Sequence, residues 1–425
     1  MTAPRGMRDF LPAEKARRER ALRIIRDTYR AHGFDEIETP VMEDASRLHA
    51  GLGGDNEKLA FAVLRRGLTG DDLRAAADAD DALLLADLGL RFDLTVPLTR
   101  FYASHRAALP GTFRAIQIAP VWRAERPQKG RYRQFMQCDI DIIGEAGPLA
   151  EVELITATTA TLDALGLTGA TVRINDRRLL TAMLDALGFP TPSHPEVLVT
   201  VDKLDKVGAA GVATELRGRG APAQAIVALE EFLGRETGVP AAWGAEAIRA
   251  ALPAGVDEGV IAELAELGAS VNAVRGDDIL VFDPFLVRGM GYYTGTIFEI
   301  AHPDSGSSLG GGGRYDGMIG RFLGTDVPAC GFSIGFERIV DLVSDAAVDD
   351  SRSIVLIAEK DAPLETLMRL KTALVADGGR VRIERRVKNM KALLERSAEA
   401  GYGAFANVAK DADLATLDIR PLANS

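Results

Sequence analysis

The stretch that decides the fold is residues 121–144, which read VWRAERPQKGRYRQFMQCDIDIIG. Strand-like runs flank its polar segment, residues 125–133, and this pattern predicts a long antiparallel β-hairpin. The segment also carries five basic residues within eleven positions: Arg123, Arg126, Lys129, Arg131 and Arg133. In a chain with a net charge of −11, such a local basic cluster indicates a site for an anion.

Three arginines favour a nucleotide as that anion, although each has a simpler explanation. Arg123 and Glu125 lie two positions apart, so on one strand they would project together, a cation for phosphate beside an acceptor for an amino group. Arg288 precedes a glycine at the start of a predicted strand, and Arg338 lies on a predicted helix entered through small residues. A solvated hairpin or a surface salt bridge explains each feature alone, so only their conjunction supports a ligand site.

The composition is that of a multidomain globular protein. Of the 425 residues, 47% are hydrophobic and 26% are charged, which is enough apolar material for two or three packed cores. The acidic balance argues against attachment to a membrane by bulk charge, and no signal peptide or membrane span is recognisable. Cys138 and Cys330 lack metal-ligand spacing, as expected of reduced thiols. We therefore expect a cytoplasmic protein with no membrane partner.

The first part of the chain mixes helices and strands. An amphipathic helix over residues 13–32 leads into the strand FDEIETP, which ends at Pro40. More strands are predicted at RFDLTVPLTRF, ILVFDPFLVRG and YYTGTIFEIAH. The glycine run SLGGGGRYDG is explained most simply as a tight turn, and residues 69–86 as a surface loop or a short helix.

The remaining segments predict an α+β protein of several domains. Residues 172–275 have helical periodicity, and after an acidic linker strands alternate with helices as in a small α/β domain. The predicted domains are a core made of residues 1–171 and 276–345, a helical insertion at 172–275, and an α/β domain at 351–425.

Few motifs of other enzymes are present. The sequence has no HExxH, paired CxxC or GKS/T motif, which argues against a zinc hydrolase and a P-loop enzyme. Asp93, Thr95, Gln137 and Asp141 stand on predicted strands, where such residues usually just face water. Taken alone they would not indicate a site.

Seven segments together resemble histidyl-tRNA synthetases, in order along nearly the whole chain: PRGMRDFLP, IETPVME, RFDLTVPLTR, VWRAERPQKGRYRQFMQCDIDIIGE, VRGMGYYTGTIFE, GGGRYDGMIGRF and GFSIGFERI. INDRRLL and VDKLDKV are similar to the eukaryotic-type branch of that family. The resemblance implies a class II synthetase fold, which is an antiparallel sheet flanked by helices, with an α/β anticodon-binding domain. It also implies a homodimer, formed through the helix and strand that end at Pro40.

The resemblance further implies a ligase that activates histidine with ATP and Mg²⁺ and transfers it to tRNA(His). Arg123, Arg288 and Arg338 would be its catalytic residues. ATP would be bound by Arg123, Glu125, Arg131, Phe135 and Arg338. Histidine would be bound by Asp93, Thr95, Gln137, Asp141, Arg288, Tyr293 and Tyr315, the first three of them at the α-amino group. The tRNA acceptor end would meet Arg126, Gln128 and Lys129, with Arg131 on the same hairpin loop, and no protein ligand to a metal is assigned.

Two departures and two alternatives accompany this resemblance. Gly291 stands where the family usually has an aspartate, and the C-terminal domain lacks a final helix common in the family. One alternative is a regulatory paralogue that senses histidine without charging tRNA. Such relatives typically lose catalytic arginines and the C-terminal domain, whereas this chain has both. The other alternative, a tRNA-binding module without catalysis, would explain the basic hairpin but not a histidine pocket.

Overall fold

The computed structural model describes residues 1–49, 59–127, 130–234, 243–275, 279–287, 292–343 and 352–422. The chain divides into two compact units, one of Met1–Arg8 with Ala21–Val343, the other of Asp9–Arg20 with Ser344–Ser425. Within the described ranges no helix is both long and apolar enough to cross a membrane.

A large mixed sheet organises the first unit. In the described part of the chain its strands are β1 (Asp35–Glu36), β5 (Phe113–Trp122), β6 (Gln134–Ile143), β7 (Thr171–Asp176), β8 (Leu280–Phe282), β9 (Thr296–Ala301), β10 (Gly310–Arg314) and β11 (Ala329–Gly335). Their order is β1-β5-β6-β11-β10-β9-β7-β8. Neighbours pair antiparallel except at the two edges, where β1–β5 and β7–β8 are parallel. The predicted α+β class is confirmed.

The predicted hairpin is confirmed as β5 and β6, which pair over ten residues each from Phe113↔Ile143 to Trp122↔Gln134. Alternation gives β6 two different faces. Cys138, Ile140 and Ile142 belong to the main hydrophobic core. Gln137, Asp139 and Asp141 therefore project from the opposite face, named the site face below.

Helices cover the core face of the sheet. Apolar residues of α1 (Pro12–Ala31), α5 (Leu149–Ala164) and α11 (Glu258–Arg275) join β6 and its neighbours in one core. A second core lies under the helices that follow β7. The other helices of this unit are α2 (Ala45–His49), α3 (Gly70–Asp78), α4 (Thr95–His105), α6 (Arg177–Ala186), α7 (His194–Val201), α8 (Leu204–Gly218), α9 (Ala223–Leu233), α10 (Ala245–Ala250), α12 (Asp316–Leu323) and α13 (Phe336–Leu342).

Several local predictions were wrong. RFDLTVPLTRF was expected as a strand, but it turns into α4, because the Asp93 carboxylate accepts the Val96 N–H at 3.1 Å and Pro97 is tolerated in a first turn. Residues 172–176 were expected to be helical, yet they belong to the strand β7. The glycine run is the interior strand β10 and not a tight turn.

Residues 69–86 contain a short helix, one of the two forms expected there. The helix α3 has a capping box in which the side chains of Thr69 and Asp72 each form a hydrogen bond with the other residue's backbone N–H.

A small antiparallel sheet is formed by three short strands, in the order β2 (Met42–Asp44), β4 (Ala86–Leu90) and β3 (Phe61–Leu64).

The second unit contains a four-stranded sheet in the order β13-β12-β14-β15. Its strands are β12 (Ser353–Ala358), β13 (Arg380–Arg385), β14 (Ala404–Val408) and β15 (Arg420–Pro421), with helices α14 (Leu364–Ala376) and α15 (Met390–Glu399). The predicted strand–helix–strand–helix–strand order is confirmed. The domain boundaries proposed from the sequence stay predictions.

Glycine is required in β10 because the neighbouring strand comes too close for a side chain. A Cβ placed on Gly312 would lie 1.9 Å from the carbonyl oxygen of Gly331. The contact is with backbone, so it is relieved only by spreading β10 from β11.

We expect Gly312→Ala to lower the free energy of unfolding by about 3 kcal/mol, the upper range for overpacking a core. Urea denaturation followed by circular dichroism measures the change. Gly317→Ala is the matched control, since Gly317 lies in α12 with no atom within 4 Å of its Cβ position, and alanine favours a helix. Equal stabilities of the two variants would contradict the close approach of β10 and β11.

Candidate active site

Three buried polar residues share the site face of β6. Gln137, Asp139 and Asp141 are exposed by 9%, 4% and 4% of their surface. The adjacent strand β11 presents Gly335, Ser333 and Gly331 opposite them, in the same order. The small residues of β11 leave room for polar groups that the core face of this sheet would exclude.

Asp141 is fixed between a tyrosine and a glycine. Tyr315, which is 2% exposed, donates its hydroxyl to Asp141 Oδ1 at 2.6 Å. A Cβ on Gly331 would lie 2.0 Å from the same oxygen, so only glycine leaves this space to the carboxyl group. Burial raises the pKa of Asp141 to about 7, although the Tyr315 hydrogen bond opposes the shift.

A second carboxyl group, just before α4, lies near the carboxyl groups of β6. Asp93 is 1% exposed, and burial raises its pKa to about 6, partly offset by the Val96 N–H and by Arg123. Its Oδ2 and the Oε1 of Gln137 are buried acceptors to which no described residue donates. Buried acceptors without donors cost free energy, and they indicate where a ligand with N–H groups would bind.

Tyrosines form an aromatic wall beside these carboxyl groups. The Tyr292 ring lies 4.8 Å from that of Tyr293 and 6.0 Å from that of Tyr315, in edge-to-face contacts. Tyr292 is 6% exposed, and burial raises the pKa of its hydroxyl well above the ordinary value. The sequence prediction named Tyr293 and Tyr315, but Tyr292 is the more deeply buried of the adjacent pair.

Arg123, the residue after β5, lies beside Phe135 of β6. The guanidinium carbon of Arg123 is 5.1 Å from the Phe135 ring centre, and its Nε donates to the Phe92 carbonyl at 3.0 Å. Arg123 and Glu125 were expected on one strand face, which is wrong because β5 ends at Trp122. Glu125 instead forms an ion pair of 3.9 Å with Arg131 on the hairpin connection.

Arg338 lies on α13, the helix that leaves β11, and donates to the Ser308 carbonyl before β10. Its neighbour Glu337 is paired with Arg8 and accepts the Met136 N–H at 3.1 Å. The side chain of Arg338 therefore lies near the C-terminal end of β11, where Gly335 pairs with Gln137.

The N-terminal segment, residues 4–8, also contacts the hairpin. The Arg133 N–H donates to the Gly6 carbonyl at 2.7 Å, and the Arg8 guanidinium stacks 3.6 Å from the centre of the Tyr132 ring. A Cβ on Gly6, whose φ is +83°, would lie 2.9 Å from Arg133. Arg8 therefore connects the end of the hairpin with α13.

Some predicted site residues lie outside the described ranges. These are Arg288, Gln128, Lys129 and the departure Gly291. Arg126 is described, and it is exposed on the hairpin connection. The other predicted residues fall into two groups, one around Asp141 and one around Arg123.

Sequence reasoning missed two functional neighbours that a simple signal could have found. Asp139 lies between Gln137 and Asp141 on the same strand face, so the two-residue period alone places it in the site. Ser333 alternates with the glycines of β11 in the same way. The partnership of Arg8 and Glu337 joins residues 329 positions apart, and no local pattern predicts it.

Comparison with known proteins gives one consistent result. The family model for histidyl-tRNA synthetase matches residues 6–339. A histidine-tRNA ligase of Leifsonia xyli is 62% identical over 427 residues, covering 99% of this chain and 98% of that protein. A probable histidine-tRNA ligase of Tropheryma whipplei is 44% identical, over 95% of this chain and 94% of its own length.

A solved structure agrees in fold. The crystal structure of histidyl-tRNA synthetase from Nostoc sp. PCC 7120 matches with a TM-score of 0.76 at 24% identity, over 99% of this chain and 95% of that one. The resemblance predicted from seven sequence segments is confirmed by a family model that spans most of the chain and by a relative similar along nearly all of it. The chain belongs to the histidyl-tRNA synthetase family.

Proposed function

We propose that this chain activates histidine with ATP, giving histidyl-adenylate and pyrophosphate, and then transfers histidine to the 3′ end of tRNA(His). It is a class II ligase, and we place its work in the cytoplasm. The observation that carries the proposal is the pair of buried acceptors, Asp93 Oδ2 and Gln137 Oε1, in a pocket with Asp141 and Tyr315. That set fits a ligand with an ammonium group at one end and a ring N–H at the other.

The buried polar groups match histidine in their charges and their hydrogen-bonding capacity. The α-ammonium would be held by Asp93, Thr95 and Gln137, and the imidazole by Asp141, Tyr293 and Tyr315. Burial raises the pKa of both carboxyl groups, and a cationic ligand would favour their charged forms. An amino acid of similar size without the ring N–H would leave Asp141 without that hydrogen bond. Unpaired groups of this kind support discrimination on the order of 10⁴.

The ATP side is built from cations and an aromatic ring. Phe135 offers a face on which adenine can stack, with Glu125 at its edge, and Arg123 and Arg338 would meet the α- and γ-phosphates. Arg131 would assist at the ATP, and Arg288 would approach the α-phosphate from the other side. Mg²⁺ would be held largely by phosphate oxygens and water, and it would offset the phosphate charge.

The chemistry needs alignment more than it needs a protein nucleophile. An oxygen of the histidine carboxylate attacks the α-phosphorus of ATP, and the bond to the pyrophosphate oxygen breaks. Both reactants are anions, so the arginines lower the barrier by offsetting their repulsion and by holding them in line. No described residue or comparison favours the alternative of a histidine sensor that does not charge tRNA.

The tRNA would meet two basic regions. Arg126, Gln128 and Lys129 on the hairpin connection would approach the acceptor end. In the second unit, Arg385 at the end of β13 and Lys388 before α15 are exposed, while Arg386 is paired with Glu359. Exposed cations of this kind can bind phosphates, which supports a role of this unit in tRNA binding.

A homodimer is supported by an exposed apolar sheet face. In the small sheet, Met42, Phe61 and Leu90 stand side by side, as do Leu88 and Val63 in the adjacent row. The opposite face is covered by α2, whose Leu48 lies 2.8 Å from a Cβ placed on Gly89. Met42 and Leu88 are 46% and 38% exposed. Such a face on a two-fold dimer would be buried against its own copy.

The proposal predicts ATP–pyrophosphate exchange that depends on histidine and on no other amino acid. Arg123→Ala should lower the exchange rate about 10²- to 10³-fold. The variant lacks the positive charge that stabilises the negative charge developing at the phosphate in the transition state. Arg249→Ala, which breaks an exposed ion pair with Glu258, is the control and should exchange normally. A folded protein that shows no exchange with histidine would refute the proposed activity.

Asp141→Asn should make the protein more stable at pH 8 but weaken its binding of histidine. The folded pKa of about 7 lies above the ordinary 3.8, so Asp141 favours folding below pH 3.8 and loses this contribution as pH rises through 7. Asparagine does not ionise, so without ligand the variant should have a higher free energy of unfolding than wild type at pH 8. The difference should reach up to about 4 kcal/mol, since each unit of pKa shift corresponds to about 1.36 kcal/mol. The variant's histidine affinity should fall.

Thermal denaturation at pH 4 and pH 8, with calorimetric titration of histidine, measures both effects. The stability difference should shrink towards pH 4. A variant that binds histidine like wild type would remove Asp141 from the pocket.

Met42→Glu with Leu88→Glu should dissociate the dimer. Each subunit loses two apolar side chains, so the dimer loses four, and at about 1.5 kcal/mol each this raises the dissociation constant on the order of 10⁴-fold. Light scattering after gel filtration measures the molecular mass. Val199→Glu, at a 51% exposed position on α7, is the control and should remain dimeric. If the double variant has the mass of wild type, the interface lies elsewhere.

A further inference from the structure

A third buried carboxyl group, Asp139, has no role in the function proposed above. It is 4% exposed and lies on the site face of β6 between the residues assigned to the two ends of histidine. Burial, and then the charge of Asp141, raise its pKa well above the ordinary value. A carboxyl group in such a place costs free energy, so its hydrogen bonds indicate what it contributes.

Those hydrogen bonds fix the orientation of the Gln137 amide. The Ser333 hydroxyl donates to Asp139 Oδ1. Because this uses its only proton, Ser333 Oγ can only accept from Gln137, whose Nε2 lies 3.1 Å away. The same nitrogen lies 3.4 and 3.3 Å from the two carboxyl oxygens of Asp139. The amide nitrogen is therefore held by Asp139 and Ser333, and Oε1 is left as a buried acceptor with no donor among the described residues.

We propose that Asp139 and Ser333 are positioning residues that keep the carbonyl oxygen of Gln137, and not its NH₂ group, directed at the α-ammonium of histidine. The inference rests on the proposed function, since it requires histidine in this pocket. An amide turned over would present donors to a cation and replace an attraction by a repulsion. A carboxylate at position 139 prevents this because it accepts from both neighbouring donors.

An asparagine at position 139 would no longer fix the orientation of the Gln137 amide. Its NH₂ group would face that of Gln137, and two donors cannot share a hydrogen bond. Rotation of the Gln137 amide relieves the conflict, but it turns NH₂ towards the ligand. The effect should therefore appear only with ligands that carry the ammonium group.

Histidinol and 3-(imidazol-4-yl)propan-1-ol test this, because they differ only in the ammonium group. In calorimetric titrations, Asp139→Asn should lose about tenfold to a hundredfold in affinity for histidinol, the value of one charge-assisted hydrogen bond. The affinity for the ammonium-free alcohol should change less than about twofold, as expected when nothing at the imidazole end is altered. Ser333→Ala, a milder change, should shift the ratio of the two affinities in the same direction.

A second substitution at Gln137 tests whether Asp139 orients the Gln137 amide or has a merely structural role. Asp139→Asn with Gln137→Glu restores the charge of wild type, and a carboxylate at position 137 accepts hydrogen bonds at both oxygens whichever way it turns. This double variant should regain most of the histidinol affinity. Asp176→Asn, a buried carboxyl group of β7 paired with Arg178, is the control and should change the melting temperature without changing the ratio of the two affinities.

Each contrary result has a distinct meaning. Histidinol affinity unchanged in Asp139→Asn, equal losses for both ligands, or no recovery in the double variant would overturn the positioning role. If wild-type protein bound neither histidine nor histidinol, the proposed function itself would fail.

Discussion

The two faces of β6 cannot be exchanged, and the rest of the molecule depends on that constraint. One face contributes Cys138, Ile140 and Ile142 to the largest core, while the other carries an amide and carboxyl groups that are just as deeply buried. If the register of β6 shifted by one residue, its carboxyl groups would enter the apolar core. The core and the polar face would then be lost together. The ten paired positions of the hairpin hold the register, so the strand that organises the core also sets the positions of the ligand groups.

Glycine makes the polar face possible. The side chains of Asp141 and Tyr315 meet over β11 only because Gly331 leaves space there, and β10 lies close to β11 only because Gly312 has no side chain. On the core side of the same strands, Arg314 forms two hydrogen bonds of 2.7 Å to Glu151 at the start of α5. The sheet is thus fixed from the helix side while its other face stays open for a ligand.

The sequence predicted the hairpin, the C-terminal alternation of strands and helices, and the family, because each depends on patterns within a few dozen residues. It failed where tertiary contacts decide between alternatives. RFDLTVPLTRF has the composition of a strand, but the carboxylate of Asp93 caps a helix. Four consecutive glycines are typical of a turn, and only the closeness of two neighbouring strands makes them a strand. Tyr292 and Tyr293 are chemically identical in sequence, so only packing distinguishes them.

The N-terminal segment has a consequence for the order in which the chain can fold during synthesis. Arg8 leaves the ribosome early, but its partner Glu337 is 329 residues further along the chain. At about 5 to 20 residues per second, roughly 15 to 70 seconds separate the two. In the later part of that interval, once residues 113–143 have been made, the hairpin lacks the α13 side of its support and the edge of β6 lacks its partner β11. The nascent chain therefore passes through a period in which a chaperone that shields an unpaired sheet edge would protect it from aggregation.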